Sequence, residues 1–315
     1  MITVYPAAAE HAGHLHDAIW IDLLSPTDEE AGEVAAATGL RIPNREDLSA
    51  IEASSRLQRQ KDVLYLSTPL LSVDGDIARM TPVGFVLCPK RLITVRFDAL
   101  GSFDTAAKNA KDDDEITSLG VFTCVFESIV DRVADGLEQL SSDLDTVSHA
   151  VFKHQAGESS SARAEQKQRK VLIEIGRIGE RLSQIRDVLL GVGRIVPFVI
   201  EVRHGSEHDS IADRLKAVRQ DVLSLNDYEA QLANKVQFLL DAVLGFITIA
   251  QNDLFKFLTV WSIVGIPPTL MAGIWGMNFK AMPELNWGLG YPVGLAVIVL
   301  SGLIPFGWFK WRGWV

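Results

Sequence analysis

The 315-residue sequence lacks the features that enzymes and secreted domains are recognised by. Its two cysteines, Cys88 and Cys124, lie far apart and outside any metal-binding spacing, so we expect reduced, buried thiols in a cytosolic domain. No glycine-rich phosphate loop with its lysine, no dinucleotide fingerprint and no nucleophile elbow is present. These absences argue against ATP-driven pumping and against soluble catalysis, and we predict that the chain is not an enzyme.

Basic charge is also scarce, with 30 Lys and Arg against 40 Asp and Glu, a net charge of -10. This balance argues against nucleic acid or an anionic lipid surface as a partner and is compatible with cations. The N-terminal residues 1–6 lack the basic and apolar segments of a signal peptide, so we expect membrane insertion to depend on the C-terminal part.

Asp, Glu, Lys, Arg and His are missing from two long apolar runs near the C-terminus, Phe257–Trp275 and Gly290–Phe309. A helix of about 20 residues crosses the roughly 30 Å hydrocarbon core of a bilayer. We therefore predict a transmembrane region over residues 257–315, with a first span at 257–275, an outer loop at 276–289 and a second span at 290–309.

The charges that flank these runs predict their orientation. Lys256 precedes the first run, and Lys310 and Arg312 follow the second, whereas the loop holds only Lys280 and Glu284. Because basic flanks stay in the cytoplasm, we expect both termini inside and the loop outside, in the inner (plasma) membrane of a prokaryotic cell.

Before the apolar runs, the sequence changes from mixed to helical periodicity. Residues 1–112 predict a cytosolic α/β domain, in which residues 18–23, 63–68, 83–88 and 91–96 have strand character and residues 73–76 form a turn. The fold class is thus an α+β cytosolic domain with long helices, followed by a two-helix transmembrane region.

Residues 113–204 predict long antiparallel cytosolic helices, and residues 205–256 a stalk helix that continues into the first span. We expect Gly191, Gly193 and Pro197 to end the second long helix. Pro267 and Pro268 are expected to kink the first span without ending it, because neighbours in a membrane can satisfy the freed carbonyls.

A polar and apolar stripe follows one face of the helix that enters the membrane. Asp241 and Asn252 are eleven positions apart, about three helical turns, so they share a face. The same face continues through further positions without a charge: Phe255, Leu258 with Thr259, Ser262, Ile266, Thr269 and Gly273. Two spans cannot enclose a pore, so a conduit along this stripe requires several chains.

The first span ends and the loop begins with Trp275-Gly276-Met277-Asn278-Phe279, and the loop continues with Met282-Pro283-Glu284-Leu285. Together with Trp20-Ile21-Asp22-Leu23 and Ile51-Glu52-Ala53-Ser54-Ser55-Arg56, this sequence resembles the CorA family of divalent-cation channels over essentially the whole chain. The resemblance implies a homopentamer with a cytosolic funnel and a magnesium-conducting pore lined by the first span. Lys280, where many members carry an acid, and Trp275, where tyrosine is usual, depart from the family pattern.

The resemblance assigns roles to particular residues. It implies a selectivity filter at Gly276, Met277 and Asn278, and a pore lined by Asn252, Phe255, Leu258, Ile266 and Thr269, with Asp241 at its cytosolic mouth. Glu284 would attract cations to the outer mouth. Cytosolic magnesium would bind Asp104 and a stalk carboxylate; Ala217 occupies the expected stalk position, so Asp213 or Asp221 is the substitute.

Chemistry supports the filter, because magnesium demands octahedral oxygen ligation and dehydrates reluctantly. A ring of Asn278 carbonyls would accept hydrogen bonds from the waters of the hydrated ion without trapping it by full charge. The alternative is that Gly276 caps the helix and Asn278 is a turn residue. Thr259 and Ser262 could likewise only bond their own helix carbonyls, and Asp241 could simply be solvated.

The sequence therefore favours a passive magnesium channel that is gated by cytosolic magnesium, with the passage of cobalt or nickel left open. A zinc transporter of the same superfamily, coupled to protons, is the first alternative, but the spans hold no His, Cys or carboxylate for it. A cytosolic signalling or scaffold module anchored by a hairpin is the second, and it leaves the polar stripe unexplained.

Overall fold

A computed structural model describes residues 1–5, 15–50, 52, 56–74, 77–110, 117–153, 162–202, 209–277 and 287–314. The chain divides into two compact units. The first comprises Met1–Gly157 and Gln166–Leu240, and the second comprises Glu158–Glu165 and Asp241–Val315.

The first unit contains a six-stranded mixed sheet. Its strands are β1 (Ile2–Tyr5), β2 (Trp20–Leu24), β3 (Leu57–Gln60), β4 (Val63–Asp74), β5 (Ile77–Leu87) and β6 (Leu92–Arg96). They are ordered β1-β2-β6-β5-β4-β3, and every neighbouring pair is antiparallel except β2 and β6. The strand type of the four predicted segments is confirmed.

The two edge strands, β1 and β3, were missing from the expectation. The sequence of β3, Leu57-Gln58-Arg59-Gln60, has no apolar alternation, and its four residues range from half-buried to exposed. An edge strand of this kind is held by backbone pairing with β4, which a hydrophobic pattern does not reveal.

Two short helices cover one face of the sheet: α1 (Asp28–Thr38) and α2 (Arg45–Leu48). Both begin with a capping box, formed by Thr27 with Glu30 in α1 and by Asn44 with Asp47 in α2. Val34 of α1 and Leu48 of α2 join a core with the inward-facing residues of β2, β5 and β6.

The opposite face packs on α3 (Gly101–Asn109), α4 (Ser118–Lys153) and α5 (Ala162–Val202). Phe85 of β5 contacts Phe103 of α3, with 6.3 Å between ring centroids, and Phe126 of α4, with 5.0 Å. Phe122 and Phe126 stack at 4.3 Å. These four phenylalanines are among the largest side chains that are fully buried.

A buried ionic network joins β2 to β6. Asp22 accepts hydrogen bonds from Arg96, at 2.8 Å from Nη2 to Oδ2, and from the hydroxyl of Thr94 at 2.6 Å. Thr94 accepts in turn from the indole N–H of Trp20 at 3.0 Å, and the Arg96 guanidinium lies over the Phe103 ring. The parallel pairing of β2 and β6 brings these side chains together, so the network reinforces the one parallel contact in this sheet.

The long helix α6 (Asp209–Trp275) completes a three-helix arrangement in the first unit. Arg214 of α6 pairs with Glu127 of α4 at 2.6 Å, and Lys235 pairs with Asp145 at 2.5 Å. The second contact lies C-terminal to the first in both helices, so α4 and α6 run parallel. The antiparallel relation of α5 follows from two close approaches to α6, Gly179 at Val236 and Gly193 at Val222.

The expectation that α5 ends at Gly191, Gly193 and Pro197 was wrong, because the helix continues to Val202 with Pro197 inside it. A proline inside a helix costs about 3 kcal/mol. Val196 and Val199 are completely buried, and burying a valine side chain contributes about 1.5–3 kcal/mol. Tertiary packing of this apolar face therefore outweighs the missing hydrogen bond.

Glu229 of α6 is a carboxylate that the sequence did not single out, and it is 4% exposed. Burial raises the pKa of Glu229, and the charge of Arg186 on α5 opposes the rise only in part. Between the pKa of the unfolded chain, about 4.3 for glutamate, and the raised pKa of the folded protein, the folded protein binds more protons. Its stability therefore falls as the pH rises through this interval.

We expect Glu229→Gln to remove this fall, because an amide does not ionise. The melting temperature of the purified protein in detergent, measured from pH 4 to pH 8, should decline less for the variant than for the wild type. Glu180→Gln, at an exposed position of α5, is the matched control. Equal pH profiles for wild type and Glu229→Gln would contradict the prediction.

The second unit contains the C-terminal part of α6 and the helix α7 (Gly290–Trp311). Helices α6 and α7 each contain a stretch long and apolar enough to cross a membrane. The prediction that the stalk helix continues into the first apolar run is confirmed, and Pro267 and Pro268 lie inside it, as expected.

Candidate functional site

One face of the apolar part of α6 packs against α7. Its residues recur at helical spacing and are buried or half-buried: Val260, Val264, Pro267, Pro268, Met271 and Trp275. Gly294 and Gly302 of α7 lie against this face, since a Cβ on Gly294 would be 3.4 Å from the Trp275 ring and one on Gly302 would be 3.2 Å from Cγ of Pro268. The two helices therefore pack closely and antiparallel through small residues.

The predicted stripe lies on the opposite face of α6. At 100° per residue, its positions are rotated by roughly 180° from the face that contacts α7. Phe255 is 64% exposed, Leu258 50% and Ile266 62%, whereas Val260 on the packed face is 7% exposed. Asn252, Ser262 and Thr269 are exposed as well. The structure thus brings the predicted residues to one face of α6 that α7 does not cover.

Part of this face forms a groove of about 680 Å³ between Trp261 and Met277. Ile266, Thr269 and Gly273 line it together with larger apolar side chains. The groove contains no ionisable group, since no residue from 257 to 275 carries one. A surface that alternates hydroxyl and apolar groups can contact water and a hydrated ion without binding either tightly.

The threonine hydroxyls donate to the backbone of their own helix. Thr259 Oγ1 donates to the Phe255 carbonyl and Thr269 Oγ1 to the Gly265 carbonyl, each at 2.8 Å. The sequence analysis gave this arrangement as the alternative to a pore role for Thr259. It leaves both lone pairs of each hydroxyl oxygen available, however. A hydroxyl held in this way accepts hydrogen bonds from water, which is the contact that a hydrated cation needs.

The end of α6 leads into the predicted filter. The N–H of Gly276 donates to the Ala272 carbonyl at 3.0 Å, and that of Met277 donates to the Ile274 carbonyl at 3.3 Å. A Cβ on Gly276 would lie 3.1 Å from the Ala272 oxygen, so glycine suits this tight exit from the helix. Asn278 and Glu284 lie outside the described residues.

At the N-terminal end of the stripe, Asn252 and Asp241 are exposed on α6. An ion pair that the sequence analysis did not identify lies beside them, between Lys256 and Asp253 at 3.1 Å. Its i,i+3 spacing was a readable signal. By helical rotation Asp253 falls on the α7-facing side of α6, away from the stripe, so it does not add charge to this surface.

The three predicted regulatory carboxylates lie on two elements of the first unit, Asp104 on α3 and both Asp213 and Asp221 on α6. Asp104 is exposed in the first turn of α3, and its charge contributes to the raised pKa of Tyr5, which is due mainly to burial. Asp213 is paired with Lys216 at 2.8 Å. Asp221 lies in an acidic environment beside Asp131 of α4. The pKa of Asp131 is raised mainly by burial, and further by the negative charges of Glu127, Asp135 and Asp221.

Within the residues that the structure describes, no group of three or more His, Cys, Asp or Glu side chains could hold a metal ion. Asp131 is one of the carboxylates in this region that the sequence analysis did not identify. Its i,i+4 spacing to Glu127 and Asp135 was visible in the sequence, but its proximity to Asp221 depends on the packing of α4 against α6.

Comparison with known proteins assigns the family. A family model described as the CorA-like Mg2+ transporter protein matches residues 16–311. The chain belongs to this family. It is 32% identical over 310 residues to the magnesium transport protein CorA of Salmonella typhimurium and to that of Escherichia coli, covering 97% of this chain and 95% of each relative.

A solved structure has the same fold as this member of the CorA family. The complete CorA magnesium transporter from Methanocaldococcus jannaschii superposes with a TM-score of 0.77 at 20% identity, covering 94% of this chain and 91% of that one. The mixed sheet, the long helices and the two apolar helices are therefore the family fold. The chain is a membrane protein of magnesium transport, and α7 and the C-terminal part of α6 are its transmembrane helices.

The close approach of α7 to α6 makes a substitution at Gly302 testable. We expect Gly302→Leu to separate the transmembrane helices, because its Cβ would meet Cγ of Pro268 at 3.2 Å and the carbonyl of Val264 at 3.5 Å. Overpacking of this kind costs about 1–3 kcal/mol, and the protein in detergent should melt at a lower temperature. Gly307→Leu, where a Cβ meets nothing within 4 Å, is the control on the same helix. Equal melting temperatures would contradict the prediction.

Proposed function

We propose that copies of this chain form a homopentameric, funnel-shaped channel that conducts hydrated Mg2+ passively across the inner membrane. The observation that carries the proposal is the uncharged polar and apolar stripe on α6, which lies opposite α7 and is left open in a single chain. Several copies, each with α7 outside and the stripe inside, would enclose a conduit. Phe255, Leu258 and Ile266 would form its hydrophobic constriction, and Thr269 would supply hydroxyl oxygens.

In the proposed organisation, residues 1–112 are the cytosolic α/β domain, 113–204 the antiparallel helices, 205–256 the stalk and 257–315 the pore domain. Both termini are cytoplasmic, as the positions of Lys256, Lys310 and Arg312 favour. One ring of Asn278 side chains then selects hydrated divalent ions, and Gly276 and Met277 position this ring. Glu284 attracts cations to the outer mouth. Cobalt and nickel would pass by the same filter, because it contacts the water shell.

Cytosolic magnesium would close the channel by binding between subunits at Asp104 and a stalk carboxylate. Of the two stalk candidates, Asp221 has the acidic surroundings that favour a cation, whereas Asp213 is neutralised by Lys216. We therefore assign the stalk ligand to Asp221. An inside-negative potential drives a divalent ion inward by about 4.6 kcal/mol per 100 mV, so no chemical energy source is required.

The test is magnesium influx into proteoliposomes that hold the purified protein and a magnesium-sensitive dye. With equal magnesium concentrations inside and outside, we expect influx under an imposed inside-negative potential and little influx when the potential is removed with an ionophore. Zinc with an imposed proton gradient tests the alternative transporter. Correctly assembled protein that carries zinc with protons, and no magnesium at any potential, would overturn the proposal.

A further inference from the structure

The C-terminal end of α7 concentrates aromatic and basic side chains. Three of the seven tryptophans of the chain lie within residues 308–314, and Lys310 and Arg312 lie between them. The exposed fraction of these tryptophans is 49% at Trp308, 82% at Trp311 and 48% at Trp314. The group takes no part in the proposed conduction surface, which lies on α6, so its composition needs a separate explanation.

The chain folds back on itself directly after α7. Gly313 has a φ of 72°, in the left-handed region. Its N–H donates to the Lys310 carbonyl at 3.2 Å, and the N–H of Trp314 donates to the Phe309 carbonyl at 3.0 Å. These two bonds form the Schellman motif that ends many helices. The Trp314 ring packs on Phe309, with 5.5 Å between centroids, so the aromatic end of α7 is a defined surface.

One basic side chain of this surface is held by an aromatic ring. The guanidinium of Arg312 lies over the Trp308 ring, 5.2 Å from its centroid. A cation–π contact of this kind occupies the flat face of the guanidinium and leaves the N–H groups at its edge free to donate. Among the described residues, no carboxylate pairs with Arg312. Arg312 is thus an oriented positive charge whose hydrogen-bond donors are available to a ligand.

The charge around this surface is positive, although the chain as a whole is acidic. The net charge argued against an anionic lipid surface as a partner, but residues 285–314 contain Lys310 and Arg312 and no Asp or Glu. Asp253, the last acidic residue of α6, is paired with Lys256 at 3.1 Å. Because salt screens charges beyond about 8 Å, the local charges decide which ligand is attracted. They favour an anion.

An apolar stripe leads along α7 to Arg312. Leu300, Ile304 and Trp308 recur every four residues, so they share one side of the helix, and all three are exposed. At 100° per residue, Ile304 is rotated by about 200° from Gly302, which lies against α6. Since α7 is a transmembrane helix, this stripe meets acyl chains. Arg312 follows the end of the apolar run, at the level of the lipid headgroups.

We propose that Arg312, positioned by Trp308, binds the phosphate of an anionic phospholipid whose acyl chains lie along Leu300 and Ile304. The planar guanidinium matches two phosphate oxygens at once. A free phosphate ion would use only the guanidinium, whereas a phospholipid uses the guanidinium and the apolar stripe together. A zwitterionic phospholipid carries its own ammonium, which offsets the attraction. The site goes beyond the proposed channel, because it requires only that α7 lies in a membrane.

Native mass spectrometry of the full-length protein in a nonionic detergent tests the site by counting bound lipids during titration with phosphatidylglycerol. We expect one saturable site per chain, with an affinity about tenfold higher than for phosphatidylcholine of the same acyl chains. Arg312→Gln should weaken phosphatidylglycerol binding by about tenfold or more, since it removes charge-assisted hydrogen bonds. Arg312→Lys should weaken it as well, because an ammonium lacks the planar fork.

Trp308 is a positioning residue, and a double substitution tests that role. Trp308→Leu should weaken phosphatidylglycerol binding in the wild type but not further in Arg312→Gln, because the ring acts through the guanidinium. Additive losses from the two substitutions would contradict the positioning. The readout is lipid binding, so the result does not depend on whether the protein conducts magnesium.

Lys310→Gln is the matched control, because it removes one positive charge from the same turn at a position rotated by about 200° from Arg312. We expect near wild-type affinity from this variant. Equal weakening by Lys310→Gln and Arg312→Gln would overturn the proposal, since it indicates a general attraction of anions to a basic helix end. Equal affinity for phosphatidylcholine would also overturn it. So would displacement of the lipid by inorganic phosphate at equal concentration, because the acyl chains would then contribute nothing.

Discussion

Asn278→Ala is expected to reduce potential-driven magnesium influx by at least about tenfold, because the substitution removes the acceptor that every subunit would contribute to the proposed filter. A hydrogen bond contributes about 1 kcal/mol, and several equivalent bonds act on one hydrated ion. An alanine methyl group can neither accept a hydrogen bond from the water shell nor replace it. Influx into proteoliposomes, compared at equal protein content and equal membrane potential, measures the effect.

The matched control is Asn226→Ala, which removes the same amide from α6 within the first unit, where Asn226 Nδ2 donates to the Val222 carbonyl at 2.8 Å. We expect near wild-type influx from this variant. Asn278→Asp keeps an acceptor and adds charge, so it should still admit magnesium but release it more slowly. Wild-type influx from Asn278→Ala would show that the filter is elsewhere and would remove the assigned role of this residue.

Gly191→Ala is expected to destabilise the first unit by about 3 kcal/mol or more, the upper range for overpacking of a core. The Cβ of alanine would lie 1.8 Å from Oγ1 and 2.9 Å from Cβ of Thr68 on β4. Rotation of the threonine side chain relieves the contact with Oγ1 but not the contact with Cβ, so α5 must move away from the sheet. Thermal unfolding of the purified protein, followed by circular dichroism, measures the loss.

Gly176→Ala provides a control on the same helix, because a Cβ there meets nothing within 4 Å. Alanine is a better helix former than glycine by about 1 kcal/mol, so this variant should be slightly more stable than the wild type. Opposite changes in melting temperature for the two substitutions would confirm that α5 lies against β4 as described. A Gly191→Ala variant as stable as Gly176→Ala would contradict this packing.

The sequence predicted best where one physical signal was strong and local. Strands β2, β4, β5 and β6 are apolar and mostly buried, and the long helices carry apolar stripes over many turns, so their types follow from periodicity. Edge strand β3 is polar and was missed, because its stability derives from pairing with β4. Pro197 was given too much weight, since burial of Val196 and Val199 keeps α5 helical.

The proposed conduction surface divides in the same way. Helical spacing alone placed Asn252, Phe255, Ile266 and Thr269 on one face of α6. That α7 packs on the opposite face depends on contacts such as those of Gly294 with Trp275 and Gly302 with Pro268. Spacing cannot identify which face a neighbouring helix covers, because both faces of a membrane helix are largely apolar.

By itself the sequence determined the family, the two membrane-crossing runs, the succession of mixed and helical segments and the face on which the stripe lies. These properties depend on residue type and on distance along the chain. Only the tertiary structure decided which face of α6 contacts α7, that Glu229 is buried and that Asp221 lies near Asp131. Burial, pKa and hydrogen bonding depend on residues distant in the chain, and their proximity arises only when the whole chain has packed.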